Sequence, residues 1–325
     1  MLVRCVALLA ATVSLALSAA ASRADEYPSR SVRVIAPFGA GGVTDTVSRI
    51  VFEAMSTRLG QSFIIENKPG ASGTIGTEFV AEAAPDGYTL LANDPSGPMA
   101  TNVSLYPSRN FDPVKRLIPV AMLGSTGAVV VVSTQLQVKT LQEFVALAKS
   151  KPDELLFAST GSGTPGHLNA ELFNRMVGIK AVHVPYRIGT QAMADLLSGR
   201  LSFWIIPLPS ALKHVQDGKL RVLAVAGDHR LKELPDVPTV KEAGFGDYDV
   251  STVYALFAPV GTPAGVVAKL AQAVGDVLKI DSVRERLDRV GVEPVTGPPE
   301  RITEILKLKI PQWAEVIERA GIRGN

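Results

Sequence analysis

Two short runs of small residues carry most of the chemistry this sequence offers. Phe38-Gly39-Ala40-Gly41-Gly42-Val43-Thr44-Asp45 and Thr160-Gly161-Ser162-Gly163-Thr164-Pro165-Gly166-His167 each place glycines and hydroxyls between an apolar run and a helix-like one. Glycine lets the backbone turn sharply and approach a ligand closely, because no β-carbon intervenes. A helix start leaves N–H groups without partners at the positive end of a dipole, a setting that suits an anion. Neither run contains Lys or Arg, so an anion bound there is held by main-chain donors and hydroxyls. The first run has neither the P-loop lysine nor the G-x-G-x-x-G spacing, which sets nucleotide motifs aside. Taken singly, each run reads equally well as a tight βα turn with no ligand.

Other chemistries find little support. The four histidines (167, 183, 214 and 229) show no H-x-x-x-H or H-E-x-x-H spacing, so no metal site is expected. Gly161-Ser162-Gly163 lacks the G-x-S-x-G nucleophile elbow, which leaves Ser162 as a loop hydroxyl. His167, in the first turn of a helix, is either a ligand contact or a residue bonded to a neighbouring backbone carbonyl. Phe203 and Trp204, next to Ile205-Ile206, are either sheet core or an aromatic platform for a ligand.

The elements that must position these runs alternate β and α. Val32–Ala36 reads as a buried strand leading into the first glycine turn, and Val47, Ile50, Val51, Ala54 and Met55 follow at helical spacing up to Gly60. Strands at 63–66 and 88–92 flank a short helix at 74–84, and Asn93 to Pro98 is a loop at a strand's C-terminal end, where ligands sit in open α/β sheets. Strands at 128–132, 155–159, 181–184, 201–205 and 220–226 alternate with helices at 140–149, 165–177, 190–197 and 210–216. A short helix is expected at 239–243, a strand at 248–258, and helices at 263–278, 282–290 and 299–320. This pattern predicts two α/β lobes, each a mostly parallel sheet flanked by helices, with chain crossings near residues 125 and 250. Lobe 1 comprises 25–125 and 251–325, lobe 2 comprises 126–250, and both glycine turns face the cleft between them.

Bulk properties agree. Arg4, the apolar run Val6–Ala20 and Ser22-Arg23-Ala24 form a signal peptide over residues 1–24, and Cys5, the one cysteine, leaves with it. Disulfides, thiol catalysis and thiolate metal sites are thereby excluded from the mature chain. Without Arg4 and Arg23 the 33 basic residues become 31, against 31 acidic, so no net charge steers the chain to nucleic acid.

Longer motifs carry a resemblance. Tyr27-Pro28-Ser29-Arg30 before Ala36-Pro37-Phe38-Gly39-Ala40-Gly41-Gly42, then Glu66-Asn67-Lys68-Pro69-Gly70, Pro85-Asp86-Gly87-Tyr88-Thr89-Leu90, Gly161 to Leu168, His183-Val184-Pro185-Tyr186 and Leu234-Pro235-Asp236-Val237-Pro238-Thr239 resemble the tripartite tricarboxylate transporter substrate-binding proteins, the Bug receptor family. The resemblance implies a Venus-flytrap fold and a monomeric periplasmic receptor for a small carboxylate. It also implies delivery to the subunits of a tripartite membrane permease, with no cofactor and no catalysis. Carried over residue by residue, it assigns Phe38, Ala40, Gly41, Thr44 and Asp45 to a first ligand cradle and Ser159, Gly161, Ser162, Thr164 and His167 to a second. Asn93 and Ser96 join them from the third strand's end, and Trp204 and Ile206 form an apolar wall. Alternatives are a periplasmic ligand sensor, or a hydrolase using Ser162 and His167. The chain departs from the family at Ser202-Phe203-Trp204-Ile205-Ile206, where many members have Asp at both ends, and at Arg187-Ile188-Gly189. Without those aspartates the expected ligand lacks an amino group and lays an apolar body against Phe38, Trp204 and Ile206.

Overall fold

The computed structural model describes residues 27–186 and 188–322, so the leader and Arg187 lie outside the described residues. Among the described residues ten strands form two five-stranded sheets. In the first, β1 (Val32–Ala36) sits between β2 (Phe63–Asn67) and β3 (Thr89–Asn93), and β10 (Thr252–Pro259) separates β3 from β4 (Leu117–Thr126). In the second, β6 (Leu156–Ser159) sits between β7 (Val182–Pro185) and β8 (Phe203–Pro207), and β5 (Ala128–Ser133) separates β8 from β9 (Leu220–Val225). The two orders, β2-β1-β3-β10-β4 and β7-β6-β8-β5-β9, are the same pattern built twice.

Each sheet is mixed rather than uniformly parallel. β1 pairs in parallel with β2 and β3, while β10 runs antiparallel to both β3 and β4. Likewise β6 is parallel to β7 and β8, and β5 is antiparallel to β8 and β9. Four strands of each sheet therefore share a direction. The fifth, reversed strand is the first one the chain lays down on passing from one sheet to the other. A strand entered from the neighbouring sheet needs no helical crossover, and without one it is free to run antiparallel.

The glycine turns follow β1 and β6. The first leads into α1 (Val43–Leu59); next along the chain come α2 (Thr74–Ala81), α3 (Pro98–Leu105), α4 (Pro113–Arg116) and α5 (Leu141–Ser150). The second turn leads into α6 (Pro165–Val177), followed by α7 (Gly189–Leu197) and α8 (Leu208–Gln216). The chain closes with α9 (Ala264–Val277), α10 (Asp281–Arg289) and α11 (Glu300–Arg319). Helices α3 and α4 had no counterpart in the sequence reading, and residues 239–243 form a turn rather than the expected helix. The Val240 N–H is spent on the Val225 carbonyl and the Val225 N–H on that of Pro238, so this segment is held against β9 instead of coiling.

Alternation along β8 sorts its side chains between two cores. Phe203 and Ile205 join Phe144, Phe157 and Phe173 on one face, while Trp204 and Ile206 pack with Ala192, Leu196 and Ala211 from α7 and α8 on the other. The first of these cores continues into the other lobe through Ile35, Leu91, Leu105 and Phe257. Helix α11 closes that seam. Trp313 Nε1 donates to the Ser96 carbonyl (2.8 Å), Lys309 Nζ to the Asp249 carbonyl (2.6 Å), and Arg175 of α6 pairs with Glu315 (3.0 Å).

Candidate functional site

The two glycine turns are fixed by the same device. In the first, the Gly41 N–H donates to Asp45 Oδ2 four residues on (2.9 Å); in the second, the Gly163 N–H donates to His167 Nδ1, also four residues on (3.1 Å). Both glycines have positive φ, 82° and 75°, a region that β-branched side chains avoid. Each helix then begins without a side-chain cap, at Gly42 and Thr164. In α1 the first N–H to find an intrahelical acceptor is that of Thr46, on the Gly42 carbonyl; in α6 it is that of Leu168, on the Thr164 carbonyl. The N–H groups ahead of them point out of the helix start.

These helix starts meet at one cleft of about 720 Å³, lined from the first lobe by Phe38, Gly42, Val43 and Thr44 and from the second by Thr160, Pro165 and Gly166. Gly189 and Thr190, at the start of α7, add a third helix N-terminus. Trp204, Ile206 and Met193 make the apolar wall, facing Tyr254 of β10. The indole is turned toward α6, for a β-carbon on Gly166 would stand 3.8 Å from Trp204 Nε1. No Lys or Arg among the described residues lines the cleft. The volume suits a small organic ligand. A second cavity of about 590 Å³ lies among α8, α10 and residues 229–235. Two of its cations are already paired, Lys232 with Asp288 (2.6 Å) and Arg230 with Glu242 (2.9 Å).

Of the residues singled out from the sequence, Phe38, Thr44, Trp204 and Ile206 line the cleft. The others shape it from behind or sit in the turns. Asp45 is buried, and Arg49 (3.0 Å) and Asn67 (3.0 Å) donate to its carboxylate alongside Gly41. Burial works to raise its pKa, but these bonds together hold the carboxyl below its usual range. It is a clasp on the turn, with no acceptor left for a ligand amine. Ser159 is wholly buried and is shared between the Gly161 backbone and His183 Nε2 (2.6 Å). His183 stacks on His167 at 3.7 Å, and burial followed by the His167 field pushes its pKa down to about 4. Thr164 turns its hydroxyl onto the Gly161 carbonyl (2.7 Å), and Ala40, Gly41, Gly161 and Ser162 belong to the turns without lining the cleft. His167 accepts a backbone N–H rather than bonding a backbone carbonyl. The serine–histidine contact formed is Ser159–His183 rather than Ser162–His167, and its serine is sealed from solvent.

Asn93 and Ser96 are buried supports. Asn93 donates to Thr77 (2.9 Å), and Ser96 bridges the Asp94 carboxylate and the Ser251 carbonyl (3.0 Å). The residue between them that reaches the cleft is Asp94, which sequence reasoning passed over although it stands in the same post-strand loop. Ser202, at the first of the two positions where the chain departs from the family aspartates, accepts the Leu156 N–H (3.1 Å). His214 of α8 also lines the cleft, and its Nδ1 is buried without a partner among the described residues.

The model of the tripartite tricarboxylate transporter family receptor (TctC) matches residues 47–322. The chain belongs to this family. Among curated relatives, BugT of Bordetella pertussis (strain Tohama I) is 33% identical over 320 residues, covering 98% of each chain. Among solved structures, R. palustris Rpa4515 with adipate is 33% identical with a TM-score of 0.76, covering 91% of this chain and 99% of its own. MatC (Rpa3494) from Rhodopseudomonas palustris, with bound malate, is 34% identical with a TM-score of 0.74, covering 90% and 100%. TctC family members are periplasmic solute receptors, and these two neighbours hold carboxylates. In this TctC family receptor the two tryptophans sit in different places, Trp204 in the cleft wall and Trp313 buried against Ser96. A ligand entering the cleft is therefore expected to change Trp204 emission. Titration of Trp204→Phe with the same ligand should lose that response while Trp313 still emits.

Proposed function

We propose that this chain is an exported, non-catalytic receptor that binds a small carboxylate between its lobes and hands it to a tripartite tricarboxylate-type permease. On this reading residues 1–24 are a cleaved leader, the mature chain is a periplasmic monomer, and lobes 25–125 plus 251–325 and 126–250 clamp the ligand. The observation that carries it is the convergence of uncapped helix starts from opposite lobes, at Gly42–Thr44 and Pro165–Gly166, on one cleft that no Lys or Arg lines among the described residues. Such starts attract a carboxylate, and hydrogen bonds to its charge contribute roughly 1.5–3 kcal/mol each. Each helix dipole adds about 0.3–2 kcal/mol. About three such bonds, set against the cost of ordering the ligand, leave micromolar affinity (near −8 kcal/mol) within reach. The relatives holding adipate and malate support the ligand class.

Mass spectrometry of protein purified gently from its native host tests this. A carboxylate released on denaturation, returned to emptied protein and binding it unchanged, is the expected result. Turnover of that carboxylate by catalytic amounts of protein would instead establish an enzyme.

A further inference from the structure

Asp94 is 5% exposed, lies at the end of β3 and lines the cleft. Its carboxylate is used unevenly. The Ser96 N–H (2.7 Å), the Ser96 hydroxyl (2.5 Å) and the Gly97 N–H (3.1 Å) all donate to Oδ1. Oδ2 takes none of these bonds; the Val253 N–H, which donates to Ser96 Oγ (3.2 Å), also pulls on the carboxyl, and Asp94 forms no ion pair with any described residue. Oδ2 is also close to the other lobe. A β-carbon on Gly97 would stand 2.6 Å from Asp94 Oδ2 and 3.9 Å from Pro165 Cγ, at the first turn of α6. A buried anionic acceptor from one lobe thus stands a few ångströms from the helix start of the other.

We infer that Asp94 is the specificity residue of the cleft, and that it selects carboxylates bearing a hydrogen-bond donor, ammonium or hydroxyl, on the carbon next to the carboxylate. The inference rests on the reading of the cleft as a carboxylate site. With its carboxylate on the α6 start, a ligand places its adjacent carbon toward Oδ2. An unsubstituted acid brings nothing for that oxygen to accept and sets two anions side by side in a poorly solvated space. A 2-amino or 2-hydroxy acid supplies the missing donor, and an ammonium supplies a counter-charge as well. The sequence-based expectation of a ligand without an amino group counted only Asp45 and the β8 positions. Asp45 is consumed by its own turn, and the acceptor comes from β3 instead.

Calorimetry with two series tests this: phenylalanine, phenyllactate and phenylpropionate, then aspartate, malate and succinate. Within each series the skeleton is constant and carbon 2 carries ammonium, hydroxyl or hydrogen. Wild-type protein should bind a substituted member at least tenfold tighter than the unsubstituted one. The ammonium and hydroxyl arms distinguish the two donors. Asp94→Asn keeps an acceptor for the Ser96 and Gly97 donors but puts an amide N–H₂ where Oδ2 was, so it should erase or reverse the preference. Equal binding across a series by the wild type would overturn the inference without a variant, as would an equal loss for all members in Asp94→Asn. Both of those outcomes leave the carboxylate receptor standing. Silence from all six compounds would overturn the carboxylate reading of the cleft and this inference with it.

Discussion

Gly41→Val is expected to weaken ligand binding by about tenfold to a hundredfold while the protein still folds. At φ 82° a valine pays on the order of 1–3 kcal/mol in backbone strain, and each 1.4 kcal/mol is tenfold in affinity. Among the described residues no atom beyond the two chain neighbours lies within 4 Å of the β-carbon position at Gly41, so the core has no reason to fail. The strain is relieved by rotating the Gly41 N–H off Asp45, and the turn that aims Gly42, Val43 and Thr44 into the cleft moves with it. Gly163→Val acts differently. Its β-carbon position touches Leu105 and Ile322 at 3.5 Å each, so branched methyls there also push the second turn away from α3 of the other lobe. Calorimetry and thermal melts together check both variants, with the exposed Lys279→Ala as a control. Full affinity in either glycine variant would remove that turn from the binding site.

The glycine turns were legible because their requirement is local: a positive φ between a strand and a helix admits few residues besides glycine. Most strands were legible for a similar reason, since runs such as Val129–Val132 are buried on both faces and leave no polar position. The mostly parallel direction of each sheet was legible from the alternation of strands and helices, but the one reversed strand in each was not. A strand apolar on every side reads the same forwards and backwards, and β5 and β10 owe their reversal to where the chain enters from. Helix α3 was hidden because Pro98 opens it with no polar side-chain cap to announce it. The site was partly legible, and the reason lies in what a hydroxyl or carboxylate does with its bonds. Asp45, Ser159 and Ser96 sit in the right loops, but tertiary partners as distant as Asn67, His183 and Ser251 absorb their hydrogen-bonding capacity. Asp94 differs only in that one of its oxygens is left over. That is a property of three-dimensional partners, and nothing in Asn-Asp-Pro-Ser distinguishes it.

The leftover oxygen has a consequence for stability that can be measured without any ligand. Burial raises the Asp94 pKa to about 6 from an ordinary 3.8, against the opposing pull of the Ser96, Gly97 and Val253 donors. The folded state therefore binds more protons at Asp94 than the unfolded state does between about pH 4 and 6. The Asp94 contribution to stability falls as pH rises through that window and levels off above it, because the slope follows the protons bound unfolded minus those bound folded. His183, pushed down to about 4, contributes with the opposite sign, so the comparison with an Asp94 variant isolates the carboxyl. Two pKa units correspond to about 3 kcal/mol, an upper bound for a carboxyl whose pocket relaxes on ionisation. Lys309 of α11 and Tyr254 of β10 share this field. Lys309 lies with its ammonium on the Asp249 carbonyl and is itself pushed down by burial, so it does not neutralise Asp94 outright. Asp94→Asn carries no titrating group there, so the stability of the empty variant at pH 7.5 relative to pH 4.5, from denaturant melts, should be higher than the same difference in the wild type. Above pH 6 the variant should be the more stable protein. A ligand that donates to Oδ2 lowers the same pKa, so its binding to the wild type near pH 5.5 should release a fraction of a proton. Calorimetric heats that shift with the ionisation enthalpy of the buffer in the wild type, and not in Asp94→Asn, would place that proton on Asp94. Wild-type and Asp94→Asn stability curves that run parallel from pH 4 to 7 would mean that burial leaves the Asp94 carboxyl unshifted.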